Sequence, residues 1–67
     1  MTFEKLKSGN YSAICENENG EPVCIYHHPA TEETEEYFRT ETYQNNGWIR
    51  DNYYYEDGAI EELYRKE

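Results

Sequence analysis

Aliphatic side chains are scarce in this sequence. Leu6, Ile14, Val23, Ile25, Ile49, Ile60 and Leu63 are nearly the whole supply among 67 residues. A chain of this length makes one domain, residues 1–67, close to the lower limit for an independently folded core. Cations are also few, six against fifteen acidic residues, for a formal net charge of −9. That balance disfavours direct nucleic-acid binding, which needs a basic footprint on phosphates, and disfavours an anionic membrane surface for the same reason. No apolar run approaches the roughly 20 residues of a membrane-spanning helix. The first residues, MTFEKLKSGNYS, have two lysines but no apolar core of a signal peptide, so a cytoplasmic protein with reduced cysteines is expected. Glycine-rich phosphate loops are absent, and turns account for the four glycines.

Aromatics take the place of the missing aliphatics. Eight tyrosines, two phenylalanines and one tryptophan are present, and each buried aromatic removes roughly 150–250 Å² from water. Most lie in residues 37–64, YFRTETYQNNGWIRDNYYYEDGAIEELY, where Asn46-Gly47 and Asp57-Gly58 separate three runs of strand-forming residues. Both dipeptides suit a two-residue type I′ turn. The expected product is a three-stranded antiparallel meander with strands near 36–44, 48–56 and 59–65.

Two-residue turns set a definite register. They place Phe38 opposite Tyr55, Thr40 opposite Tyr53 and Thr42 opposite Asp51, then Tyr55 opposite Ile60, Tyr53 opposite Glu62 and Asp51 opposite Tyr64. Residues directly opposite share a face. One face then carries Phe38, Thr40, Ile49, Tyr53, Tyr55, Ile60 and Tyr64 and is the expected core. The other carries Tyr37, Arg39, Glu41, Tyr43, Trp48, Arg50, Tyr54, Glu56, Glu61 and Leu63. A three-residue bulged loop at either turn would shift the register by one and mix the two sets.

Upstream, residues 11–17 and 21–28 read as two more strands around Asn19-Gly20. The same turn logic sets Cys15 opposite Cys24 and Ile14 opposite Ile25, with Ile14, Val23 and Ile25 facing the core. Pro22, lacking an N–H, argues for an edge strand. Phe3 and Leu6 are placed to pack back on the domain. Residues 31–36, TEETEE, contain no apolar side chain and read as a loop or short turn. The expected fold class is therefore all-β: an N-terminal hairpin plus a meander, about five strands.

Few constellations carry chemistry. Cys15, Cys24, His27 and His28 form the only metal-type group, but their spacing does not match the close ligand pairs of zinc sites. No metal and no cofactor are expected. A Cys15–Cys24 disulfide fits the hairpin register but not a reducing compartment. Serines, cysteines and histidines exist without any arrangement of nucleophile, base and orienting group, and so small a chain has little room for a ligand cleft of about 300 Å³. An enzyme is not expected.

The acidic residues, by contrast, come in doublets. Glu32-Glu33, Glu35-Glu36, Glu56-Asp57 and Glu61-Glu62 bracket the meander, with Glu41 and Asp51 between them. With Tyr37, Trp48 and Tyr54 as aromatic anchors, these carboxylates make a candidate partner-binding surface: Glu32, Glu33, Glu35, Glu36, Tyr37, Glu41, Trp48, Tyr54, Glu56, Asp57, Glu61 and Glu62. A very small, acidic, tyrosine-rich chain of this kind resembles the inhibitors encoded by phages and mobile elements, including anti-CRISPR proteins and other DNA mimics. The resemblance rests on size, charge and the mixture of Glu/Asp with aromatics, and it implies as partner a basic nucleic-acid-binding protein or nuclease. The alternative expectation is a small structural or regulatory module that forms a homodimer, or caps another subunit, through a sheet edge.

Overall fold

The computed structural model describes residues 1–66. Its frame is one open antiparallel sheet in which strands neighbour in chain order: β1 (Ile14–Glu16), β2 (Pro22–His28), β3 (Tyr37–Tyr43), β4 (Trp48–Tyr55) and β5 (Ile60–Lys66). A single short helix, α1 (Phe3–Lys7), lies against one face. The five expected strands are all present, and residues 31–36 form a loop, as the absence of apolar residues there suggested.

The three hairpins share one turn, and it is not the expected one. Gly20, Gly47 and Gly58 have φ of 75°, 88° and 92°, and among the described residues no other residue type has positive φ. A type I′ turn needs two successive residues with positive φ, so it is excluded. Instead Gly47 N–H donates to the Gln44 carbonyl and Gln44 N–H donates to the Trp48 carbonyl. The same pair of bonds recurs between Gly58, Tyr55 and Ala59, and between Gly20, Asn17 and Glu21. This is a type I turn closed by a glycine bulge. Short polar side chains brace it: Asn46 Oδ1 accepts from Trp48 N–H and Asp57 Oδ1 accepts from Ala59 N–H.

The added loop residue moves every hairpin by one position. Phe38 faces Tyr54 and Tyr54 faces Ile60, so Tyr54 replaces Tyr55 between them. Thr40 faces Asn52, Thr42 faces Arg50, and Tyr53 faces Glu61. Trp48, Arg50 and Tyr54 therefore join Phe38 and Thr40 on the helix side, while Ile49, Tyr53 and Tyr55 go to the other side with Arg39 and Glu41. In the first hairpin Cys15 faces Val23 and Ile14 faces Cys24. The two cysteines thus lie on opposite faces, both as free thiols, and Ile14 is 71% exposed instead of buried. Strand β2 is internal, not an edge: Pro22 is its first residue, and the ladder to β3 begins only at Val23–Thr42. A missing N–H costs nothing there.

The core is thin and sits under α1. Phe3, Leu6, Val23, Ile25, Phe38 and Tyr54 form it, with Cys15 packed against its margin. A five-residue helix is not stable alone. This one is capped by Thr2, whose Oγ1 accepts from Lys5 N–H at 3.2 Å, and is held by burying Phe3 and Leu6. The Phe3 ring meets Phe38 edge-on at 5.4 Å, and Tyr11 meets Phe38 from another side at 6.2 Å.

Two stability predictions follow from this register. Tyr54→Ala removes a core aromatic and should cost about 3–5 kcal/mol, enough to unfold much of a domain whose total stability is of order 3–10 kcal/mol. Tyr53→Ala, on the other face, should cost about 1 kcal/mol or less; urea unfolding of both variants checks the order, and the reverse order would mean the register is wrong. Separately, Gly47→Ala should cost about 1–2 kcal/mol through the backbone alone, since its added Cβ meets nothing within 4 Å. A neutral effect in the same assay would argue against the bulged turn.

Candidate functional site at the acidic end of the sheet

Topology gathers part of the candidate surface. The loop between β2 and β3 and the turn between β4 and β5 lie at the same end of the sheet, because Tyr37 pairs with Tyr55. Glu32, Glu33, Glu35, Glu56 and Asp57 are all exposed there. At a strand spacing of about 4.8 Å, the two acidic segments sit on the order of 10 Å apart. Glu4 joins them: with Phe3 it lines an open cavity of about 300 Å³ whose other wall is residues 54–60. A cleft of ligand size therefore exists in this small chain, contrary to expectation. Its acidic lining comes from Glu4, Glu56 and Asp57.

Other candidates are engaged internally. Glu36 accepts from Lys7 Nζ at 2.7 Å and meets His27 Nε2 at 2.6 Å, which fastens the end of α1 and strand β2 to the loop. The Lys7 ammonium first, and then His27, hold its carboxyl below the ordinary value of 4.5. Glu41 is 6% exposed and belongs to an ionic cluster on the helix-free face. It lies directly opposite Asp51, itself 5% exposed. Two buried carboxylates side by side would repel strongly. Arg65 resolves this by donating through Nε to Asp51 and through Nη2 to Glu41, and Arg39 donates to the second Glu41 oxygen at 2.8 Å.

Tyr54 is the plainest correction. It is a core residue and cannot be a surface anchor. Trp48 is exposed but stands on the helix side at the far end, where Lys66 Nζ lies 5.9 Å from its ring. Glu61 and Glu62, neighbours on β5, point to opposite faces. Glu62 accepts from the Tyr64 hydroxyl at 2.7 Å, and Glu61 stands beside Tyr53 on the helix-free face. Of the twelve residues named from sequence, the structure brings together Glu32, Glu33, Glu35, Tyr37, Glu56, Asp57 and Glu61 and separates or buries the others.

What sequence reasoning missed is the aromatic platform beside them. Tyr53 and Tyr55, expected in the core, stand with Tyr37 on the helix-free face, the three rings 5.9–6.0 Å apart from Tyr37 outward. His28 stacks on Tyr37 at 4.4 Å, and Arg39 covers the Tyr26 ring at 4.4 Å. Among the described residues no strand or helix packs over this face. Burial and then the nearby Glu61 charge raise the Tyr55 hydroxyl above its ordinary value, and the Glu41 charge does the same to Tyr26 and Tyr43. All three therefore remain neutral donors at physiological pH. The Asx-x-x-Gly spacing of Asn17 to Gly20 favours a type I turn with glycine last in the first hairpin only. The turns that place the tyrosines begin at Gln44 and Tyr55 and carry no such signal.

The metal-type group is dispersed as well. Cys24 and His28 occupy one face and Cys15 and His27 the other, and among the described residues no three His, Cys, Asp or Glu side chains cluster as metal ligands. Comparison with protein-family models, curated proteins and solved structures finds no match to this chain.

The Glu36 clamp makes stability depend on acid. Its folded-state pKa lies below the ordinary 4.5, so between the two values the unfolded chain binds more protons and stability rises with pH. The contribution is complete above about 4.5 and is lost as pH falls through the folded value. Glu21, held low by Asn17 and then by the Asn45 backbone N–H, adds in the same direction. The melting temperature should fall on acidification below pH 4.5, and less so in Glu36→Gln. Parallel pH profiles for the two proteins would exclude the clamp.

Proposed function

We propose that this is a non-enzymatic binding protein that inhibits by occupying the basic nucleic-acid-binding surface of a nuclease or DNA-binding protein. The reading rests on one observation above all. Exposed carboxylates of two separate segments, Glu32, Glu33 and Glu35 with Glu56 and Asp57, meet at one end of the sheet beside the uncovered Tyr37, Tyr53 and Tyr55. Dense negative charge would stand in for phosphates and steer encounter with a basic groove. The tyrosines, apolar in body and polar at the tip, would supply the buried contact that charge alone does not. Several cations are already bound inside the domain, on Glu36, Glu41 and Asp51, which leaves the outer field acidic. The resemblance to phage-encoded and mobile-element DNA mimics points to the same class of partner, met in the cytoplasm of a host cell.

The test begins with capture of a partner on the immobilised chain, with duplex DNA as competitor, followed by surface plasmon resonance at low and high salt. Glu32→Lys, Glu33→Lys and Glu56→Lys together should weaken binding at least tenfold, on the order of 1.4 kcal/mol, mostly by slowing association. Tyr37→Ala should mainly speed dissociation. Affinity that ignores the triple reversal, or a partner that duplex DNA does not displace, would remove this function.

A further inference from the structure

Among the described residues strand β5 is an edge of the open sheet, exposed along its whole length, with Ile60, Leu63 and Tyr64 each 55% accessible. A long exposed edge presents unpaired backbone groups as a template for another strand. Which groups point outward follows from the turn. Tyr55 N–H donates to the Ala59 carbonyl, and hydrogen-bonded pairs alternate along an antiparallel ladder. The backbones of Glu61, Leu63 and Arg65 therefore bond to β4, and those of Ile60, Glu62, Tyr64 and Lys66 face outward.

The side chains of this strand have an unusual order for so acidic a protein. IEELYRK carries two acids in its first half and two bases in its second, and is itself neutral. Laid antiparallel against an identical strand about a two-fold axis through Leu63, it places Glu61 opposite Arg65 of the second copy, and Leu63 opposite Leu63. Ile60 falls opposite Lys66 and Glu62 opposite Tyr64. All seven residues pair, and the outward-facing backbone groups are the ones that fall into hydrogen-bonded positions. A shift of two residues in one direction opposes Glu62 to Glu62. In the other it sets Leu63 against Arg65. Backbone groups match in all three registers, and the second shift also pairs Glu62 with Lys66 and Tyr64 with Tyr64, but it leaves Ile60 and Glu61 without partners. The register centred on Leu63 pairs all seven residues and sets Leu63 on Leu63.

Arg65 can serve both copies. Its contacts with Asp51 and Glu41 use Nε and Nη2, the side chain remains 49% exposed, and a guanidinium has five N–H donors. We propose that β5 is a homodimerisation edge, joining two copies into one continuous ten-stranded sheet centred on Leu63. The interface is isologous, as two-fold symmetry requires. It leaves the acidic ends of both copies open, so it does not rest on the inhibitory function proposed above. Edge pairing alone buries less than the roughly 1,200 Å² at the low end of stable interfaces, and the dimer is accordingly weak and reversible.

Sedimentation equilibrium over a concentration series tests it. The wild type should show a reversible monomer–dimer equilibrium. Glu62→Pro removes one outward N–H from each strand without touching the β4 ladder, and should weaken the dimer roughly tenfold or more. Leu63→Arg places two like charges at the axis and should do the same while far-UV dichroism stays that of the wild type. The second variant carries the test if proline perturbs the strand. A wild type that is monomeric up to its solubility limit overturns the proposal, as does a dimer that survives Leu63→Arg unchanged.

Discussion

The structure depends on a backbone constraint repeated three times. In each hairpin a glycine with positive φ closes a type I turn, and the resulting bulge sets the register of the strands on either side. Side chains alternate along a strand with period two, so that single residue decides which set faces the helix. It sends Phe38, Tyr54, Val23 and Ile25 under α1 and leaves Tyr37, Tyr53 and Tyr55 uncovered. The core, the tyrosine platform and the separation of the cysteines all follow from it.

A one-layer sheet must treat its two faces differently. On the covered face, six side chains exclude water with almost no aliphatic surplus. On the other face Ile49 is buried as well, but most of the burial is of polar groups lying over one another. Glu41 and Asp51 are tucked beneath Arg39 and Arg65, with Tyr26 and Tyr43 at the flanks. Such a cluster is worth little in net stability compared with apolar packing, but breaking it would leave a buried charge unpaired. Arg65 matters most here, since it alone touches both carboxylates and comes from the edge strand β5. Its attachment ties strand β5 to the middle of the sheet.

Charge is thereby sorted by location. Lys7 is bound to Glu36, Arg39 to Glu41, and Arg65 to Glu41 and Asp51, while the loop and turn carboxylates at the Tyr37–Tyr55 end keep their charge in solvent. A net charge of −9 therefore acts outward from one end of the molecule more than from its centre. Strand β5 is the local exception, neutral in total and ordered acid to base.

Composition and punctuation by themselves determined a good deal about this protein. Alternating aromatic and β-branched runs cut by Asn-Gly and Asp-Gly specify five strands and their antiparallel order, because those residues favour a pleated strand and glycine accepts the turn. The acidity of the Glu32–Glu35 and Glu56–Asp57 segments is likewise a property of the chain, whatever its fold. Register was not available at that level. Asn-Gly serves a two-residue turn and a bulged three-residue loop equally well, and the two differ only in whether the asparagine also takes positive φ. That choice is settled by what each face must bury: Phe3 and Leu6, brought over the sheet by α1, need Phe38 and Tyr54 beneath them, and Arg65 needs Asp51 and Glu41 within reach. Such contacts join residues far apart in sequence, so only the tertiary structure could decide that Tyr54 is core and that Tyr53 and Tyr55 are surface.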